Sequence, residues 1–202
     1  MAKKEPLIGT QELAHYAFNY HIRACREFVE IADKMEVDVS IPTRGSDESD
    51  RLTKIWLYLS SHIFASFAIE SAMNFVLAST PGWSADLEKK PWKEKVKMLA
   101  KHLGWSNSQK DSIINTLWPI FEYRNSIAHA KHHEMVSVTE LTREEMNEKI
   151  REKSKVWVVD ADWIKTCNSN DAQKVIADAD EFLQTILPAR IVGKLAVDRL
   201  KS

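Results

Sequence analysis

Apolar residues return at helical spacing along most of the chain. From about Thr10 to Lys34 the row Leu13, Tyr16, Ala17, Tyr20, Ala24, Phe28 and Ile31 predicts a first long helix, with Thr10 as its N-cap. The segment VDVSIPTRGSDESD, 37 to 50, carries Pro42, Gly45 and four acidic residues and reads as a solvated, mobile loop. Leu52 to roughly Ala78 predicts a second long helix, apolar around most of its circumference and therefore buried between other helices or at a subunit interface. The turn STPGWS ends it. Trp92 to His102 then forms a short amphipathic helix with Trp92, Val96 and Leu99 inward, Lys93, Glu94 and Lys97 outward, and Gly104 placed to stop it. A fourth helix is expected from about Ser108 to Lys131. Beyond it MVSVTEL and KVWVVD are short β-like runs around TREEMNEKIREKS, which opens with a capping box from Thr142 to Glu145. Asn170 or Asp171 caps a further helix through Val175, Ile176, Ala179, Phe182 and Ile186, and Pro188 breaks it before a last short helix. The expected architecture is all-α: a bundle of four to five helices in residues 1–133, with residues 134–202 adding a possible small β-hairpin and one or two helices packed on the same domain.

The fourth helix contains an anomaly. Its apolar arc, about 140° wide at 100° per residue, is made by Ile113, Leu117, Ile120, Ile127, Ile114, Phe121 and Trp118, and the opposite arc by Asn115, Glu122, Ser126, Ser112 and Pro119. Arg124 and Asn125 nevertheless fall inside the apolar arc, with His129 on its margin. An inward Arg needs a partner or a cleft, because removing its charge from water costs several kcal/mol. The second helix offers a partner: its row Trp56, Leu59, Ile63, Phe67 is continued at the same angle by Glu70 and Asn74. Two helices with polar residues on their oily stripes should face each other, with Glu70 near Arg124. A buried pair that merely fixes helix register is the plainer account, but it leaves His129, one turn beyond Asn125, unexplained.

Composition narrows the function. Hydrophobic residues are 44% of the chain and charged residues 28%, with 28 Lys+Arg against 29 Asp+Glu and a formal net charge of -1. No global field draws the protein to nucleic acid or an anionic membrane, so any polyanion site is local. Cys25 and Cys167 fit no metal spacing and no disulfide framework, and read as reduced cytoplasmic thiols. The N-terminal MAKKEPLIGTQELAHY lacks the apolar run of a signal peptide, and IFASFAIESAMNFVLA, interrupted by Glu70 and Asn74, falls short of a membrane span. A cytoplasmic protein with no membrane partner is expected.

These residues carry a family resemblance. Arg124-Asn125-x-x-x-His129 resembles the R-x(4–6)-H motif of HEPN domains, FAIESAMNFV looks like the acidic, amide-bearing helix that often accompanies it, and PWKEKVKMLAKHLG is similar to the short Lys-containing helix between them. The resemblance spans about residues 10 to 133. It implies a helical bundle that dimerises so that two copies of the motif face one another across a cleft. Many members are metal-independent endoribonucleases, often toxins or effectors in anti-phage and stress systems, some neutralised by an antitoxin protein; others are inactive binding or scaffolding modules.

The residue types suit that chemistry. In RNA cleavage without metal the ribose 2'-OH attacks the adjacent phosphate, which requires a proton acceptor, a proton donor and positive charge on the phosphorane. His129 can act as base or acid near neutrality, Arg124 presents a forked, permanent donor to phosphate oxygens, and Asn125 can orient the phosphate or the imidazole, with Glu70 and Asn74 in support. One copy supplies one imidazole, and Arg124 and His129 are about 140° apart on the helix, so completion of the site by a second copy is attractive. Lys131, His132, Lys93 and Lys97 are candidate RNA contacts. The run KKPWKEKVK, 89 to 97, could grip an RNA backbone with a base stacked on Trp92, although such a run is more often a solvated helix face with a core-directed Trp. His129, His132, His133 and Glu134 could be taken for a metal cluster, but without HExxH or a cysteine the plainer account is solvated histidines at a helix C-terminus, and neither a metal nor another cofactor is expected.

Overall fold

A computed structural model describes residues 8–39, 46–80, 84–128 and 167–187, with the side chains of 8–16, 46–47 and 126–128 excepted. Six helices lie among the described residues: α1 (Ile8–Asp33), α2 (Ser46–Ala78), α3 (Ala85–Glu88), α4 (Trp92–Leu103), α5 (Asn107–Ala128) and α6 (Ser169–Ile186). The fold is an all-α bundle. The expected hairpin and its helical insertion, the last short helix, and His129, Lys131, His132 and His133 fall outside the described residues.

α1 and α2 run antiparallel, since Phe18 meets Phe75 at 6.0 Å between ring centres while Asp33 accepts a bond from Tyr58 at 2.7 Å. α6 shares one apolar cluster with both and is also bonded to α1: Arg26 donates twice to Asp180, at 2.7 and 2.8 Å, and Ser169 donates to Asp33 at 3.0 Å. The main core gathers Phe18, Ile22 and Cys25 with Ala65, Ile69, Met73, Leu99, Leu117, Phe121, Phe182 and Leu183. α6 thus belongs to the core of the bundle rather than to its periphery. A second cluster joins Val29 and Ala32 to Ile55, Tyr58, Leu59, Cys167 and Ala172. By length and composition Glu48–Ala78 is apolar enough to cross a membrane, contrary to the expectation above, but more than half of its most apolar window is buried against other helices. It is the core helix of the bundle.

Local sequence explains the helix ends. Gly104 takes φ 69°, and its N–H and that of Trp105 both bond the carbonyl of Ala100, closing α4 in a left-handed turn that glycine adopts without a Cβ penalty. Ser106 and Gln109 form a capping box at the start of α5: Oγ of Ser106 accepts from the Gln109 N–H at 3.2 Å and the Gln109 side chain accepts from the Ser106 N–H at 2.9 Å.

Several expectations are corrected. α1 begins at Ile8, before Thr10, and its buried face is Phe18, Ile22, Cys25, Val29 and Ala32, whereas Tyr20 and Ile31 point outward. α2 begins at Ser46, ahead of the expected Leu52, and buried Arg51 in its second turn reaches Glu48 at 2.7 and 2.8 Å and the Val39 carbonyl at 3.2 Å. With Lys54 donating to the carbonyls of Met35 and Val37, residues 35–39 are pinned to α2 instead of forming the start of a mobile loop. The cap of α6 is Asn168, whose side chain accepts from the Asp171 N–H at 3.0 Å, ahead of the expected Asn170 or Asp171.

Candidate functional site

Glu70, on α2, is the hub of the site. One carboxylate oxygen accepts from Arg124 of α5 at 2.8 Å and the other from Lys95 of α4 at 2.8 Å. Three helices are therefore joined by one carboxylate. The two cations differ in exposure: the Lys95 side chain is 0% exposed, whereas that of Arg124 is 29% exposed. Burial pushes the Glu70 carboxyl up, but the bonds and charges of Lys95 and Arg124 together outweigh it and hold the group below its usual value. Glu70 is thus ionised at neutral pH, and the triad carries one positive charge in excess, on the side where Arg124 meets solvent.

The α2 row that ends in Glu70 is not a core stripe. Leu59 is buried, but Trp56 is 58% exposed and Phe67 39% exposed, and Leu52, on the same row, is 41% exposed. The fully buried arc of α2 is instead Ala65, Ala68, Ile69, Ala72, Met73 and Val76. Glu70 and Asn74 consequently continue a row that is exposed at Leu52, Trp56 and Phe67 and covered at Leu59, and α4 and α5 reach Glu70 from one side. Asn74 and Asn125 are each half-buried.

Arg124 is further supported from its own helix. Its guanidinium carbon stands 5.5 Å from the centre of the Phe121 ring, and Phe121 stacks on Trp92 at 4.6 Å with the planes 8° apart. One residue earlier, the Tyr123 ring packs against His62 at 4.5 Å with the planes tilted by 33°, and its hydroxyl shares a hydrogen bond with the Cys167 thiol at 3.0 Å. The Nδ1 N–H of His62 donates to the Tyr58 carbonyl at 2.8 Å, and burial lowers the proton affinity of its ring against the opposing influence of that carbonyl and of Asp171. His62 is a neutral packing histidine. The cysteines are no more reactive: burial pushes Cys25 up to about 12 and Cys167 up to about 11, so neither is a thiolate at neutral pH.

No protein-family model, curated protein or solved structure matches the chain.

The lysine run divides three ways. Lys97 pairs with Glu94 at 2.7 Å on the surface, Lys93 lies with Nζ 3.4 Å from the centre of the Trp118 ring, and Lys95 turns inward to Glu70. Trp92 packs against the core instead of presenting its indole to solvent. Lys95 is the site residue the sequence reading passed over; its spacing from Trp92 and Leu99, three and four residues, already put it on the buried face of α4. His129, Lys131 and His132 lie outside the described residues, so the geometry covers Arg124, Asn125, Glu70, Asn74 and the α4 lysines. Among the described residues no group of three or more metal-ligating side chains occurs.

Proposed function

We propose that the chain is a metal-independent endoribonuclease of HEPN type. The observation that carries this reading is the Lys95–Glu70–Arg124 triad: a buried lysine satisfies half of the carboxylate, so Arg124 is held in place without being fully neutralised and can turn its remaining donors to a phosphate. In the sequence His129 follows Arg124 by five residues. In the proposed reaction an imidazole takes the proton of the ribose 2'-OH as that oxygen attacks phosphorus, Arg124 stabilises the phosphorane, and the bond to the 5'-oxygen breaks as a protonated imidazole supplies its proton. The products end in a 2',3'-cyclic phosphate and a 5'-hydroxyl. Two imidazoles are called for, and a homodimer formed along the α2 seam, where Leu52, Trp56 and Phe67 are exposed in a row that leads to Glu70, supplies both. A role as a toxin or defence effector, with an antitoxin protein as its partner, fits this activity.

A second reading rests on the same ion pair. A guanidinium already bonded to Glu70 also suits a silent helical module that binds RNA or nucleotide, or another protein, without cutting. Cleavage of RNA in EDTA separates the two. The wild type should yield cyclic-phosphate ends, His129→Ala and Arg124→Ala should each lose at least ~100-fold, a typical value for removal of an acid–base or charge-stabilising group, and Phe67→Glu should lose dimer and cleavage together. Equal background in all four proteins rules out the nuclease.

A further inference from the structure

A continuous set of ring contacts runs from Arg124 to the surface between α4 and α5. Beyond Phe121 and Trp92, Trp92 meets Trp118 edge-on at 6.4 Å, and the Lys93 ammonium stands 3.4 Å from the Trp118 ring centre. Burial divides the set. Phe121 is buried and Trp92 half-buried in the core, whereas Trp118 is 44% exposed although its position on the helix wheel put it at the edge of the apolar arc. Trp92 meets the indole edge-on and the Lys93 ammonium lies over one of its faces, so a base reaches that face by displacing Lys93, which is then free to meet a phosphate. Along α5 it precedes Arg124 by six residues, a rise of about 9 Å and a separation of about 120° round the helix, so a strand of RNA that joins the two crosses the helix surface as well as following its axis.

The surroundings choose between occupants. On α5 the neighbours Asn115, Thr116, Pro119 and Glu122 are exposed and not strongly apolar, and Trp118 is that helix's one exposed large hydrophobic side chain among the described residues. An isolated indole beside cations is too small an apolar patch for a protein interface but is the size of a nucleobase. Glu122, one turn on and on the same side, repels phosphate and can accept a hydrogen bond from a base edge.

We propose that Trp118 is a nucleobase-stacking subsite: a base of a single-stranded RNA whose phosphate sits at Arg124 lies on the exposed indole, and Lys93 pairs with a phosphate flanking that base. The proposal rests on the ribonuclease reading and assigns that site a single-stranded substrate gripped through a base as well as its backbone.

The test measures binding of an uncleavable 2'-O-methyl octamer, and of an abasic oligomer of the same length, by fluorescence anisotropy at low salt. Trp118→Ala should bind the base-bearing octamer about 5- to 150-fold more weakly than wild type, the range expected for loss of one stacked base. It should bind the abasic oligomer as wild type does, and Trp118→Phe should keep most of the affinity. Circular dichroism and thermal melting verify that the variants are folded. Equal octamer affinity in wild type and Trp118→Ala, with Arg124→Ala weakened on both oligomers, overturns the stacking subsite and leaves the phosphate site standing. A wild type that binds neither oligomer overturns both. A changed oligomeric state in Trp118→Ala, without a change in RNA affinity, gives the indole to a protein contact and overturns the subsite too.

Discussion

Glu70 shows how a single side chain can hold charge in a place where charge is costly. Its two oxygens serve two cations, one of them fully buried, so removing the carboxylate strands an ammonium in the core. Glu70→Ala should therefore lower stability by about 3–5 kcal/mol, the usual cost of breaking a buried pair from one side. Lys95→Met fills similar volume without charge and leaves Glu70 paired with the partly exposed Arg124, so it should cost less than Glu70→Ala, and urea denaturation of the two variants and their double mutant measures the difference. Equal losses in both single variants would show that Arg124 alone does not compensate the carboxylate. Glu70 and Arg124 were legible in the sequence because each interrupts an otherwise apolar row on its helix. Lys95 was hidden by its company: in a run of five lysines it is easily counted with the solvated ones, and only its spacing from Trp92 and Leu99 separates it from Lys93 and Lys97.

At the scale of helices, periodicity located the elements well and their faces less well. α1 carries apolar residues around more than half its circumference, so the wheel alone could not choose between the row through Tyr20 and Ile31 and the row through Ile22 and Val29. The choice is made by α2 and α6, which pack on α1 from one side and leave Tyr20 and Ile31 uncovered. Trp118 is a similar case: it sits at the edge of the α5 arc, where burial depends on how far α4 extends. The α2–α5 contact should also respond to acid. His62 has a lowered proton affinity, so the stability it contributes is complete above its ordinary value of 6.5 and is lost as pH falls through the interval below it, where the unfolded chain takes up the proton first. Glu70, also lowered, keeps its contribution above its ordinary value of 4.5 and loses it as pH falls further. Burial lowers the ring of His21 as well, so thermal melting should show an upper acid step shared by the two histidines and a lower one from Glu70, with His62→Gln reducing the upper and Glu70→Gln flattening the lower. An unchanged upper step in His62→Gln would remove His62 as one of its sources.

For the whole molecule, the C-terminal elaboration expected to pack on the same domain contributes α6 to the core itself. α6 brings Ala179, Phe182, Leu183 and Ile186 into the same cluster as α2, α4 and α5, so the bundle around Glu70 is completed by a helix more than forty residues beyond Arg124 in the chain. No local pattern announces such a contact; it emerges when α1 and α2 leave a groove that an amphipathic helix fills. The two cysteines fall one in each apolar cluster, Cys25 in the larger and Cys167 in the smaller. Both are shut off from solvent and hard to ionise, which makes them natural clocks for breathing of the fold. A maleimide added to the native protein at neutral pH should label neither quickly, and mass spectrometry of partly labelled samples in mild urea would time the two halves of the interior separately. If Cys167 reacts first, the end of the bundle that abuts Tyr123, one residue from Arg124, opens before the core around Cys25 does.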